Sequence, residues 1–175
     1  LPCEWQRHWK NNTNTSVFGR RNYAMVIEKL LENYELYKNE LEADLYLLQT
    51  MLQQDMPEPS GDTIELGRVL KHLKGCADFV NDAAVDYRLK HAEMRFRQLS
   101  YLDWLIRSRA SEEQEVIKAL WLDRLSLSEA SDRFYISKSS MYRKKQEVLS
   151  GLEAAFSADR TVQTLWNEME QTETI

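Results

Sequence analysis

A chain of 175 residues with only 5 Gly and 3 Pro has too few turn-forming residues for a sheet of many hairpins. With 43% hydrophobic and 29% charged residues it is typical of a globular protein, and it has no apolar run near the ~18 residues that span a membrane. The helix-forming residues Leu, Glu, Lys, Arg and Ala dominate, which predicts an all-α fold. The lack of a long apolar run predicts that the protein has no membrane partner.

The net charge of −5 conceals an uneven distribution along the chain. Residues 24–65 carry ten acids and two bases, whereas residues 133–146 carry five cations and no acid. Because the local field decides what a surface attracts, the total charge does not exclude a polyanionic partner.

The first predicted segment, residues 1–21, is polar and basic and carries Trp5 and Trp9. It can be an arm that touches DNA outside the major groove, a contact to a membrane surface, or a short helix that packs its indoles on the body of the protein. We favour the third interpretation. The first twenty residues lack a signal-peptide core, which predicts a cytoplasmic protein.

Residues that carry catalysis or bind metals are sparse in this chain. His8, His72 and His91 lie far apart, and Cys3 and Cys76 match no metal or redox spacing. The sequence also contains no Gly-rich phosphate loop and no nucleophile elbow. We therefore expect a protein that is not an enzyme and that has no cofactor and no metal site.

Residues 22–109 are predicted to contain two long helices, of which the first spans about residues 22–55. Its apolar residues recur at helical spacing: Ile27, Leu30, Tyr34, Tyr37, Leu41, Leu45, Leu48 and Leu52. The carboxylates in residues 28–44 are expected on the solvated face of this helix.

The second long helix follows a break at residues 57–61, which contain two Pro and one Gly. Asp62 or Thr63 can cap it. Its apolar residues keep heptad spacing over about four repeats in residues 66–94, with His91 as a polar member of the stripe. The two long helices are predicted to fold back as an antiparallel hairpin, to join two chains as an oligomerisation element, or both.

Residues 110–156 are predicted to form a three-helix unit. Ser111 with Gln114 matches a capping box, which marks the start of a helix. The predicted helices are Glu112–Asp123, Ser128–Phe134 and Lys138–Ala155, the last capped by Ser137. Tyr135 and Ile136 form the short turn between the second and third helices, an arrangement typical of a helix-turn-helix.

The third helix of this unit is predicted to be a recognition helix. On a helical wheel its inner face holds Met141, Lys145, Val148 and Leu152, and Lys145 is expected to lay its stem along the core while its ammonium stays in solvent. The residues predicted to bind DNA are Ser137, Lys138, Ser139, Ser140, Tyr142, Arg143, Lys144 and Gln146. Arg suits guanine, Gln suits adenine, and the lysines and the helix start suit phosphates. The alternative is an exposed basic surface that binds nothing.

Four short stretches carry a family resemblance: residues 115–121 (EVIKALW), 127–130 (LSEA), 136–143 (ISKSSMYR) and 149–152 (LSGL). They resemble region 4 of bacterial sigma factors and, more closely, the C-terminal helix-turn-helix of RinA-like and ArpU-like late-gene transcription regulators of phages. The resemblance implies that residues 137–143 open the recognition helix, with double-stranded DNA and host RNA polymerase as partners. This chain departs from the sigma-like pattern at Tyr135, where those turns often have Gly. If the turn requires a positive φ at this position, a Tyr there is strained.

The predicted function is therefore that of a sequence-specific DNA-binding transcription regulator, which acts as a homodimer in the cytoplasm of a bacterial host. The resemblance points to a phage or prophage late-gene activator. One alternative is a DNA-packaging subunit of the small-terminase type, which would form a ring of many copies. Another is a coiled-coil adaptor or inhibitor protein with a non-functional helix-turn-helix, whose acidic first helix contacts a partner. Residues 157–175 are predicted to form a short C-terminal helix and tail.

Overall fold

The computed structural model describes residues 19–158, with side chains from Val26 onward. Within this range all regular structure is helical, which confirms the predicted all-α class. The helices are α1 Gly19–Glu32, α2 Tyr34–Met51, α3 Thr63–Ala77, α4 Ala83–Arg107, α5 Ser111–Ile117, a π-helical turn Lys118–Leu122, α6 Leu127–Arg133 and α7 Lys138–Ala158. The predicted segment with Trp5 and Trp9 and the predicted C-terminal helix lie outside the described residues.

The chain divides into two compact units. The first unit joins the residues up to Leu31 with those from Ala110 onward, and the second unit contains Glu32–Arg109. α1 therefore belongs to the same unit as α5–α7, although the sequence grouped it with the long helices that follow. A contact between distant residues accounts for this, because Glu28 of α1 pairs with Lys145 of α7 at 2.9 Å.

The first predicted long helix is interrupted at Asn33, whose backbone (φ −93°, ψ 5°) leaves the helical region. The apolar stripe nevertheless continues across the break, with these members buried: Ile27, Leu30, Tyr37, Leu41, Leu45 and Leu48. The spacing thus identified the buried side of this segment but not its division into two helices, since one Asn leaves the apolar period unchanged.

The second predicted long helix is interrupted at residues 78–82. Asp82 caps α4 by accepting a hydrogen bond from the Ala84 N–H at 2.8 Å. The predicted unbroken heptad stripe is therefore wrong, and two of its members beyond α3, Val80 and Tyr87, are 40% and 62% exposed. Asp and Asn side chains compete with the helix for backbone hydrogen bonds, and this run contains three of them.

In the second unit, α4 packs against both α2 and α3. α2 and α4 run antiparallel, since the Tyr34 hydroxyl donates to Asp103 near the end of α4 at 2.6 Å, whereas Asp44 accepts from Arg88 near its start at 2.9 Å. Burial and the bond to Asp103 raise the pKa of the Tyr34 hydroxyl well above its usual value, so it stays a neutral donor.

Two carboxylates that were expected on a solvated face lie between α2 and α4 instead. Asp44 is 3% exposed and contacts both Arg88 and His91. Glu40 pairs with the Arg95 Nε at 2.6 Å. A buried carboxylate is unfavourable unless a cation or donor compensates it, and the periodicity of α2 contains no information about the cations on α4.

In the first unit, α5 and α6 both pack against α7. Its buried core is formed by Ile27, Leu30, Leu31, Val116, Ile117, Ala119, Trp121, Ala130, Met141, Val148, Leu149, Leu152 and Phe156. The first helix predicted here, Glu112–Asp123, is α5 continued by the π-helical turn. Two residues beyond the end of that turn, Arg124 has a positive φ of 55°, and the Leu125 N–H donates to the Ala119 carbonyl at 3.0 Å.

The starts of α5 and α6 differ from those predicted. The N-cap residue of α5 is Ala110, which has no side chain that can cap the helix. Ser111 is the first residue inside the helix, so the capping box predicted at Ser111 is wrong. The capping box lies at α6, where Ser126 and Glu129 each bond the other's backbone N–H, at 3.2 and 2.8 Å. Consequently α6 begins at Leu127 rather than at the predicted Ser128.

Candidate nucleic-acid interface

The turn between α6 and α7 closes with a left-handed residue. The Ile136 N–H donates to the Ser131 carbonyl at 3.0 Å and the Tyr135 N–H to the Asp132 carbonyl at 3.3 Å, the paired bonds of a Schellman motif. Tyr135 has a φ of 55°, a conformation that usually selects Gly. Its side chain is 95% exposed, so the ring gains no burial that would offset the backbone strain.

α7 begins with the predicted serine cap. The Ser137 Oγ accepts a hydrogen bond from the Ser140 N–H at 3.2 Å, which confirms the cap, and donates to the Ser140 Oγ at 2.9 Å. The first turn of α7 contains no acid. The positive end of the helix dipole is therefore left uncompensated beside the exposed Lys138 and Ser139.

One side of α7 packs into the core of the first unit as predicted: Met141, Val148 and Leu152 are buried. Leu149 and Phe156 are buried too, and the sequence analysis had not placed them on this side. The Lys145 Nζ pairs with Glu28 at 2.9 Å and lies 5.8 Å from the centroid of the Trp121 ring, so the ammonium has an acid partner that the sequence analysis had not placed there.

The opposite side of α7 is an exposed polar stripe formed by Ser139, Tyr142, Arg143 and Gln146. Tyr142 is 53% exposed. Within residues 26–158, the side chains of Tyr142, Arg143 and Gln146 form no hydrogen bond or ion pair. Four donors or acceptors that suit base edges thus lie on one side of a helix that is anchored by its other side.

The five cations of residues 133–146 differ in how far they are available. Arg133 pairs with Asp123 at 3.0 Å, Lys145 with Glu28, and Lys144 with Glu112. Lys138 and Arg143 are exposed, and no ion pair engages them in the described part of the chain. Two of the five cations are therefore immediately available to an anionic ligand.

Lys144 was predicted to contact phosphate, but its ammonium forms an ion pair with Glu112 of α5. The contact with Lys144 holds the pKa of the Glu112 carboxyl below its usual range. Lys144 must leave this carboxylate before it can reach a phosphate. The pairing was not predictable from α7 alone, because the acid lies 32 positions away in the chain.

In the range 19–158, no group of three or more His, Cys, Asp or Glu is arranged to hold a metal ion. None of the helices described is both long and apolar enough to span a membrane. The polar stripe of α7 is therefore the strongest candidate site in this part of the chain.

No protein-family model, curated protein or solved structure matches this chain. The resemblance to sigma factors and to phage late-gene regulators consequently stays a prediction from short stretches of sequence. A functional conclusion has to come from the geometry and chemistry of α6, α7 and the second unit.

Proposed function

We propose that this chain is a sequence-specific DNA-binding transcription regulator that acts as a homodimer. In this proposal α6 and α7 form a helix-turn-helix, α7 enters the major groove, and the second unit is the helical element that joins two chains. The observation that carries the proposal is the exposed stripe of Tyr142, Arg143 and Gln146, which have no hydrogen bond or ion pair within the described residues, on a helix whose other side is buried.

The chemistry of the stripe supports base recognition. Arg143 suits the O6 and N7 atoms of guanine, and Gln146 suits the N6 and N7 atoms of adenine, each through two hydrogen bonds. Such a bidentate pair contributes about 1–3 kcal/mol of discrimination against the wrong base. The stripe therefore offers two base-specific contacts one helical turn apart, the spacing at which neighbouring residues of a helix lie on one side.

The start of α7 supports phosphate binding beside these base contacts. Lys138 and the uncapped backbone N–H groups of the first turn suit a phosphate of the DNA backbone. Because Lys138 and Arg143 are the two cations of residues 133–146 that have no ion pair in the described part of the chain, one copy would bind DNA weakly at physiological salt. Two copies would double the contacts, which is the reason to propose a homodimer.

The regulatory role rests on the resemblance to phage late-gene regulators. In that role the DNA-bound dimer would recruit host RNA polymerase and activate late genes of a phage or prophage. The polar stripe supports DNA binding in general, and it does not by itself favour activation over repression.

A second function is favoured by a different observation, the exposed apolar side chains of the second unit, among them Leu36, Leu47, Phe79 and Tyr87. An adaptor or inhibitor protein would use such a surface to bind a protein partner. Under this alternative α7 would have no DNA ligand, and binding to DNA would be absent even at low salt.

Selection of bound fragments from genomic DNA, followed by a gel-shift titration on the selected site, tests the proposal. We expect Arg143→Ala to lower affinity by about tenfold or more and to relax the base preference at one position. Lys138→Ala should weaken binding to all sequences alike and reduce the salt dependence by about one charge. Lys118→Ala is the matched control, since it removes an exposed cation of the same unit outside α7. Wild-type affinity in both Arg143→Ala and Lys138→Ala would remove α7 from the interface.

A further inference from the structure

The second unit carries an open groove of about 770 Å³ beside the turn that joins α3 to α4. Apolar side chains, including Leu52 and Val80, form part of its lining. Phe79 lies at this groove and is 92% exposed, so no described residue covers its ring. An uncovered aromatic ring beside an uncovered apolar groove indicates a surface that is completed by another molecule.

Charge divides this surface into two parts. The groove is also lined by three exposed side chains, Arg68, Lys71 and His72, of which Arg68 already pairs with Glu65 at 2.6 Å. The turn that carries Phe79 is acidic, since Asp78 and Asp82 stand on either side of Phe79 and Val80 and are exposed. The surface thus contains a groove with basic side chains and, next to it, an acidic turn that exposes the ring of Phe79.

We propose that a second copy of this chain occupies the groove, with the turn of residues 78–82 of each copy inserted into the groove of the other. A two-fold axis produces this exchange, because in an isologous pair residue i of one copy meets residue j of the other and the reverse. Each Phe79 ring then leaves water, and each acidic turn faces the cations of the opposite groove. The inference rests on the proposed homodimer and is independent of DNA binding.

The surface favours a second copy over an unrelated acidic peptide. An acidic peptide could neutralise Lys71, but it would leave the acidic turn at Asp78 and Asp82 of this chain without a counter-charge. A second copy fills the groove and covers the acidic turn in the same contact. Two reciprocal insertions also close the assembly at two copies, whereas a head-to-tail contact would continue into rings or filaments.

Sedimentation velocity of the full chain over a range of concentrations tests this arrangement. We expect a monomer–dimer equilibrium whose dissociation constant rises at least tenfold in Phe79→Ser. Because the ring is 92% exposed, the substitution leaves the fold of the monomer unchanged. Tyr46→Ser is the matched control, since Tyr46 is a 52% exposed aromatic of the same unit that does not line the groove.

A charge exchange tests the pairing itself. Lys71→Glu and Asp78→Lys each place like charges in both contacts of a homodimer, so each variant alone should associate at least tenfold more weakly. Mixed in equal amounts, the two variants restore opposite charges at both contacts, and the heterodimer should form with wild-type affinity. Asp78 is chosen over Asp82 because Asp82 caps α4.

Three outcomes would overturn the inference. The first is a wild-type chain that stays monomeric at high concentration or assembles into rings of many copies. The second is a dimer that Tyr46→Ser weakens and Phe79→Ser does not, which would move the interface to α2. The third is a mixture of Lys71→Glu and Asp78→Lys that fails to associate.

Gel shifts with the wild-type chain separate this inference from the proposed function. A chain that dimerises through the groove but binds no DNA would contradict the proposed DNA binding and leave the dimer arrangement in place.

Discussion

The two units differ in where they keep their polar and charged side chains. Of the six polar or charged residues buried in the range 26–158, five lie in the second unit: Asp44, Gln49, Thr63, Arg95 and Gln98. The first unit buries Ser131, and its ion pairs between helices, such as Glu112 with Lys144, lie near solvent. Buried ion pairs add little net stability but penalise wrong alignments, so they are expected to specify how α2 lies against α4.

The exposed apolar side chains show the same division. Among the large hydrophobic residues exposed in the described range, nine belong to the second unit: Leu36, Tyr46, Leu47, Met51, Ile64, Phe79, Val80, Tyr87 and Trp104. The first unit exposes Tyr135 and Tyr142. The second unit therefore exposes the apolar surface that the proposed association of two chains requires, whereas the first unit exposes mainly polar groups.

The largest expected effect comes from removing the buried acid of the second unit. Asp44→Ala leaves Arg88 and His91 without their carboxylate, which should lower the free energy of unfolding by about 2–3 kcal/mol, since the side chains of Arg88 and His91 are partly solvated. Glu42→Ala, an acid on the same helix, is the control. Hydrogen exchange should rise in α2 and α4 and stay unchanged in α7, and equal effects of the two variants would contradict a structural role for Asp44.

The second prediction concerns the capping box of the first unit. Ser126→Ala removes the acceptor of the Glu129 N–H and should destabilise that unit by about 1 kcal/mol. The measurement is hydrogen exchange of the α6 amides. Ser128→Ala is the control, since Ser128 lies inside α6 and is not its N-cap residue. Protection lost in the second unit to the same extent would show that the two units do not unfold separately.

A smaller gain is expected at the left-handed turn. Tyr135→Gly relieves about 1–2 kcal/mol of backbone strain, offset by about 0.4–1 kcal/mol of added chain entropy in the unfolded state, so the net stabilisation is about 0.5–1 kcal/mol. Tyr135→Ala keeps the Cβ and the strain and should give no gain. The measurement is the midpoint of denaturant unfolding, and equal midpoints for the two variants would argue against strain at this residue.

The smallest effect is expected from the ion pair that occupies Lys144. Glu112→Gln frees this ammonium, and DNA affinity should rise by about two- to fivefold, the size of one exposed charge contact. Because pairing lowers the Glu112 pKa, the pair stabilises the contact of α5 with α7 above the ordinary pKa of 4.5 and ceases to do so as pH falls through the lowered value. In Glu112→Gln the stability of the contact of α5 with α7 should not change over this pH range. The same loss of stability at low pH in the variant as in the wild type would assign the effect to another carboxyl group.

Much of the candidate site was predictable because its determinants are local. The buried side of α7, its Ser137 cap and the exposed stripe of Arg143 and Gln146 follow from the helical period and from cap chemistry. The strain at Tyr135 was anticipated from the resemblance, since sigma-like turns often have Gly at this position and the Tyr has a positive φ. The cap of α5 was misplaced because Ala110 takes the position that a serine one residue later was expected to hold.

The amino-acid sequence by itself determined the all-helical class and which side of α7 is buried, because a 3.6-residue period and a capping side chain act within a few positions of the backbone. Only the tertiary structure decided that α1 joins α7, that Asp44 lies inside the second unit, and that Glu112 occupies Lys144. These contacts unite residues from different helices, and their free energy depends on the burial and the counter-charge that distant parts of the chain supply. No periodicity along a single helix contains that information.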